Sequence, residues 1–311
     1  MTLFAEAQHF AGDPHWTWYI LFYFFVAGLA GGAYFLATLL RHWGTPADEP
    51  MARLGIYASV PAIVICPILL TLDLNKPLRF WHMLVNTTPD GFGLNFKVWS
   101  PMSVGVWALV LVSILTVVSF LDALARDGKI RGPLAGLVAV GGTKVWNVIG
   151  AVIWLFVASY TGVLLAVSSQ PVWSDTWALG GLFLASGLSG AAALLLLLSR
   201  YRREAETSNG VLEIGERLFA ALELLLLAVF VLTLIGDGTL DEAFGMPWLL
   251  LWLVALAGML PGLRGLAGGG LSVSGGGTIA AARVSAWAWA PALVLIGVLA
   301  LRAAVIFSAQ G

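Results

Sequence analysis

Eight apolar runs, each about 20 residues or longer, decide what this polypeptide becomes, because a helix of that length crosses a hydrocarbon layer of ~30 Å. They are Trp16 to His42, Ala52 to Asp73, Trp99 to Leu121, Val145 to Ser168, Thr176 to Ser199, Gly215 to Ile235, Pro247 to Leu263 and Val284 to Phe307. In a bilayer the backbone finds no water, so a crossing segment must be a helix or part of a closed barrel. These runs lack the alternation of barrel strands, which predicts an all-α integral membrane protein with eight transmembrane helices. Composition agrees. The sequence is 59% hydrophobic and only 11% charged, with a mean hydropathy of +0.91, against roughly 25% charged residues in soluble domains. The opening MTLFAEAQHFAGDPHW has acids but no Lys or Arg. It does not read as a secretory signal, so the first helix is expected to stay in the mature protein.

Basic residues set the orientation. Arg41, Arg53, Arg126, Lys129, Arg131, Lys144, Arg200, Arg202, Arg203, Arg264 and Arg283 lie in or beside the odd loops, and Arg217 joins them at the start of the sixth run. The positive-inside rule makes that side cytoplasmic and both termini periplasmic. The outer side keeps Lys76, Arg79, Lys97 and Arg302, three of them in one loop. Trp16, Trp18, Trp173, Trp177 and Trp248 near outer ends, and Trp43 and Trp146 near inner ends, read as an interfacial belt.

The sequence has one cysteine, Cys66, and four histidines, His9, His15, His42 and His82. One thiol builds neither an iron-sulfur site nor an internal disulfide. None of the histidines lies deep in a run, so no haem, metal or cluster is expected. The glycines of GLAGGGLSVSGGG (Gly265 to Gly277) follow no strand and read as a flexible linker, not a nucleotide loop. No nucleic-acid partner is expected.

GLAGGAYFLATLLR from Gly28 recurs as GLSGAAALLLLLSR from Gly187. Read as a duplication, this gives two four-helix bundles of parallel topology, residues 1–170 and 171–311. Gly28 with Gly32, and Ser186 with Gly190, have the small-residue spacing that lets helices approach. Pro61 and Pro67 should kink or loosen the second helix.

Ionisable groups within an apolar run are costly, so each is a functional candidate. Tyr23 lies ~10 Å below Trp16 and Tyr160 ~12 Å below Ser168, at 1.5 Å per residue. Asp73 closes the second run on the same side, so the three can share one pocket between the first, second and fourth helices. Packing is the alternative for either tyrosine, and for Tyr23 among its many aromatic neighbours the stronger one; capping is the alternative for Asp73. Lys76, Arg79 and His82 are either solvated loop residues or a docking surface, to which Lys97 belongs. Glu223, in the sixth run with Arg217 two turns earlier, is either in an ion pair within or between helices or part of a proton path with Arg217 from the cytoplasm. Ser59, Ser186 and Ser189 fit helix packing.

The motifs GLAGG, LDLNKPLRFWHML, SPMSVGVW (Ser100 to Trp107) and SYTGVLLAVSSQPVW (Ser159 to Trp173) resemble the NrfD/polysulfide reductase membrane-subunit family. The resemblance covers Trp16 to Trp173 most specifically. It implies a multi-pass anchor in the bacterial cytoplasmic membrane that exchanges electrons with menaquinone or ubiquinone. The implied partners are a four-cluster ferredoxin-like iron-sulfur subunit and a molybdopterin or multihaem catalytic subunit. Tyr160 matches the tyrosine that hydrogen-bonds a quinone carbonyl, Asp73 the acid ending the second helix, and His82 the histidine of the next loop. Tyr23 and Ile20 stand where a family member carries histidine and asparagine. Ser100, opening the third helix, joins the quinone-binding candidates. On this reading Asp73 exchanges protons with the quinone, His82 relays them to outer water, and the loop 75–98 docks the partner. A transporter or proton channel without redox role, and a passive anchor, are the rival readings.

Overall fold

The computed structural model describes residues 16–88, 91–268 and 289–310. The helices are α1 (Trp18–Trp43), α2 (Glu49–Leu72), α3 (Pro101–Arg126), α4 (Pro133–Val138), α5 (Lys144–Ala166), α6 (Leu179–Ser199), α7 (Asn209–Asp237), α8 (Leu240–Phe244), α9 (Trp248–Gly268) and α10 (Ala290–Ser308). An antiparallel ribbon of β1 (Val85–Thr88) and β2 (Gly91–Leu94) stands in the loop between α2 and α3. Among the described residues α1, α2, α3, α5, α6, α7 and α10 are long and apolar enough to cross a bilayer. The seventh expected run is α9, whose apolar stretch Trp248–Arg264 falls short of that length. His9, His15, Arg283 and the first residues of the eighth run lie outside the described residues. The expected glycine linker begins as helix, since α9 continues through Gly268; its remainder also lies outside them.

Local signals explain the helix ends. Thr17, Ser100 and Thr143 cap α1, α3 and α5 by accepting from the backbone N–H of Tyr19, Ser103 and Trp146, which satisfies donors that have no partner in the first turn. α7 stops at Gly238, whose φ of 78° is left-handed, a conformation glycine adopts without steric cost. α2 is assigned as one helix through Pro61 and Pro67, so neither proline ends it.

α1 is the central element, packed against α2, α5, α6 and α10. Its glycines make that possible. A Cβ on Gly31 would come within 2.8 Å of the Trp154 carbonyl oxygen, and one on Gly32 within 2.8 Å of that of Gly187. Gly28 and Gly187, equivalent positions of the two similar motifs, meet backbone to backbone where α1 crosses α6. α2 and α5 pack on α1, and α3 packs on both of them, while α7 and α10 pack on α6 and α9 packs on both.

Two sequence expectations fail on burial. Arg302 is not an outer-face cation; it is fully buried in α10. The helix turns it inward, where it donates to Ser186 Oγ (2.8 Å) and to the carbonyls of Phe183 (3.0 Å) and Val298 (3.2 Å). Trp173 is not part of an interfacial belt either. Its indole is fully buried and donates to the Val305 carbonyl at 2.7 Å.

Candidate functional site

A cavity of about 430 Å³ opens among α1, α2, α3 and α5, at the end of the helices that carries the β1–β2 loop. Its wall is mostly apolar, with Ile20, Phe24, Pro67, Leu70, Met102 and Leu109 among its members. The polar side chains on it are few. Tyr23 from α1, Asp73 at the end of α2 and Tyr160 from α5 all line it. The three residues that helix depth brought to one level therefore share one space.

Each is held differently. Asp73 is the C-cap of α2, its N–H bonded to the Leu69 carbonyl. Its carboxylate accepts from Thr17 Oγ1 at 3.0 Å, which links the start of α1 to the end of α2. The Tyr160 hydroxyl donates to the carbonyl of Pro101 at 2.6 Å. Its ring crosses to α3 because Gly105 has no side chain: a Cβ there would lie 2.5 Å from the ring. Tyr23 is buried and lies within electrostatic range of Tyr160 and Cys66. No hydrogen bond reaches its hydroxyl among the described residues.

The other expected site residues do not line the cavity. His82 stacks on Trp81 with ring centroids 3.8 Å apart, and its Nδ1 is 3.2 Å from Thr87 Oγ1. Its neighbours Phe80, Met83 and Leu84 face the cavity instead. Ser100 caps α3. Lys76, Arg79 and Lys97 are exposed on the loop. That loop is pinned back to α3, since the Asn95 carbonyl accepts from Ser103 Oγ (3.3 Å) and Trp107 Nε1 (3.1 Å).

The opposite end of the same helices holds a polar cluster that the sequence reading missed. Arg41 makes a two-point contact with Glu49 (2.9 and 3.1 Å) and reaches Asp122 at 3.4 Å, and Asp122 also accepts from Arg126 at 2.8 Å. From Arg41 the hydrogen bonds continue inward through Asn147 and Ser119 to Tyr34. Nearby, Asp127 accepts from Arg53 and from the Tyr57 hydroxyl. The third run was expected to end at Leu121, which left Asp122 in a loop; α3 continues to Arg126 and carries Asp122 inside. An acid one residue past an apolar run, four before an arginine, was the available signal.

Glu223 is buried in α7, and its electrostatic partner across the helices is Arg302. Arg217 instead acts on Glu213 and Glu216. Among the described residues Glu223 forms no direct ion pair, within its helix or between helices.

The family profile described as Polysulphide reductase, NrfD, matches residues 7–262. One of the polypeptides of the polysulfide reductase of Wolinella succinogenes is 30% identical over 192 residues, 59% of this chain and 57% of that protein. Protein NrfD of Escherichia coli is 26% identical over 241 residues, 71% of this chain and 72% of its own. A subunit of the selenate reductase of Mesobacillus selenatarsenatis is 28% identical over 75 residues, 24% of this chain and 18% of its own.

Proposed function

Because this chain belongs to the polysulphide reductase NrfD family, we propose that it is the quinone-reactive membrane subunit of a respiratory oxidoreductase complex in the bacterial cytoplasmic membrane. Two relatives are named as single members of reductases, one of a polysulfide reductase and one of a selenate reductase, which supports a role within a multi-subunit assembly. The observation that carries the reading is the cavity: one apolar space, with Tyr23, Asp73 and Tyr160 as its ionisable lining. Its volume lies in the range of small-molecule sites, which are typically apolar with a few placed polar groups. Such a lining suits a quinone, which has a flat apolar body and two carbonyl oxygens. The bound quinone supplies the two-electron, two-proton chemistry.

The residues supply position and protons. Tyr160 already directs its hydroxyl proton at an oxygen, the Pro101 carbonyl. Turning it towards a ligand carbonyl exchanges one acceptor for another. Asp73 has a second carboxylate oxygen besides the one bonded to Thr17, so it can take a proton at the cavity wall without giving up its anchor. Tyr23, with no competing acceptor among the described residues, is the second donor. His82 stands on the adjoining loop and serves as relay to water, by way of the loop and not by contact with the ligand.

Electrons pass to a docked iron-sulfur subunit that serves a molybdopterin or multihaem catalytic subunit. The loop that bounds the cavity presents Lys76, Arg79 and Lys97 beside exposed Leu78, Phe96 and Trp99. Apolar side chains interleaved with cations suit a protein partner. Menaquinone and ubiquinone both fit the chemistry.

The test is turnover of the purified complex with a soluble quinol analogue. Asp73→Asn and Tyr160→Phe are expected to abolish most of it while leaving subunit assembly intact. Full turnover in both variants would sink the assignment, and a wild-type complex indifferent to quinone analogues would make the protein a passive anchor.

A further inference from the structure

Besides Asp237 at its end, α7 carries three carboxyls that the cavity does not use. Glu213, Glu216 and Glu223 follow its axis, and Glu216 and Glu223 are seven residues apart by number, two turns on one face. That face is the buried one, shared with Leu212, Ala220 and Leu227. Glu216 is 7% exposed and Glu223 2%. Among the described residues none of the three forms a direct ion pair or a hydrogen bond, and Oε1 of Glu216 and Oε2 of Glu213 are buried without a partner. Glu213 is half-buried, so the series runs from a more open position inwards.

Space is made for them. α9 presents Gly262 to Glu216, and a Cβ at that glycine would come within 2.7 Å of Oε1 and 2.9 Å of Oε2. At the inner end, Arg302 of α10 is fully buried, and its Nε has no partner. Arg302 acts electrostatically on Glu223 without a direct ion pair. Its guanidinium lies 5.1 Å over the Phe183 ring, and Phe183 meets the edge of Phe24, which lines the cavity. Two aromatic rings therefore separate this cation from the proposed quinone.

An ionised acid held without a partner in such a place costs several kcal/mol. A neutral acid does not, and it has a proton to give. We propose that Glu216 and Glu223 are successive proton stations inside the second group of helices, entered past Glu213 from the start of α7. Arg302 is the counter-charge that lets Glu223 release its proton when charge changes in the cavity. The step balances. Glu223 loses a proton to water and becomes a carboxylate facing Arg302; Glu216 then passes its own proton on through water and is reloaded from water near Glu213. The charged groups that act on the stations are Arg302 and Glu216 on Glu223, and Arg217 and Glu213 on Glu216.

The link to the cavity rests on the proposed quinone reading; the stations themselves do not. Infrared difference spectra of the purified complex in lipid, recorded across a pH step, read protonated carboxyls directly. The expected result is a carbonyl band lost in Glu223→Gln, a second lost in Glu216→Gln, and that second band shifted in Gly262→Ala. Spectra unaltered by both Gln variants would overturn the stations. Proton release by sealed vesicles during quinol oxidation reads the link. Glu223→Gln should keep turnover in uncoupled vesicles and lose the protons moved across the membrane. Intact turnover with undiminished proton movement overturns the inference and leaves the cavity reading standing. Loss of quinone dependence in the wild type would strike the cavity reading instead, and the infrared bands then decide the stations alone.

Discussion

The hydroxyl of Tyr160 donates a 2.6 Å hydrogen bond to the carbonyl of Pro101, the first residue of α3. A ligand that accepts from this tyrosine must displace a backbone acceptor already in place. Tyr160→Phe is therefore expected to cut quinol oxidation by roughly 3- to 10-fold, the effect of losing ~0.5–1.5 kcal/mol from one neutral hydrogen bond. Steady-state rates with a quinol analogue check this, and an unchanged rate removes Tyr160 from the site.

Gly105 is the counterpart of that ring. In Gly105→Ala the added methyl meets the tyrosine 2.5 Å away, and overpacking of this kind costs about 1–3 kcal/mol. The ring must move off α3, so turnover should fall without any change to a polar group. A Gly105→Ala complex as active as the wild type shows that the ring's position is not what matters.

Asp73 and Thr17 separate proton exchange from anchoring. Asp73→Asn keeps an acceptor for Thr17 but takes no proton, and is expected to lower turnover by about 10²-fold or more, the scale of general acid–base catalysis. Thr17→Val removes the anchor and the side-chain cap of α1 but no proton-exchanging group, and its effect on turnover should stay near threefold, as for a net hydrogen bond of ~0.5–1 kcal/mol. If the two variants behave alike, Asp73 is a structural cap and not a proton acceptor.

At the opposite end, Asp122→Ala leaves Arg41 with Glu49 and the Asn147 amide oxygen, and Arg126 without its close partner. Breaking a buried pair costs about 3–5 kcal/mol, and here Glu49 retains part of the attraction. A clear drop in the thermal midpoint of the purified protein in detergent is expected, larger than for Arg126→Ala, whose side chain is far more exposed. Equal midpoints would show that the cluster does not hold α1 to α3.

Bilayer thickness fixes helix length, so the all-helical class and the approximate ends of the long helices were legible in hydropathy, while the seventh of the eight expected runs proves shorter than a full crossing. Depth was legible for the same reason: counting residues from Trp16 and Ser168 brought Tyr23, Tyr160 and Asp73 to one level. Direction around each axis was not. His82 and Met83 are adjacent in sequence, yet Met83 lines the cavity and His82 stacks outside it. Arg302 looked like an interfacial cation because nothing in its own run shows that Ser186 and the Phe183 carbonyl wait across the packing. Hydropathy also undervalues an arginine or an acid beside an apolar run, which is how Asp122 dropped out of α3. Partners such as Thr17 for Asp73 come from distant segments, and only packing brings them together.

The backbone N–H of Trp16 donates to Gln310 Oε1 at 2.8 Å, and Gln170 donates to the Ala309 carbonyl at 2.9 Å. Trp16 is also part of the cavity wall. The turn that follows α10 is thus a clasp on the mouth of the cavity. An affinity tag joined directly behind Gln310 pulls on that clasp, so purification handles belong at the far end, around Lys129 to Arg131, where the loop is open to solvent.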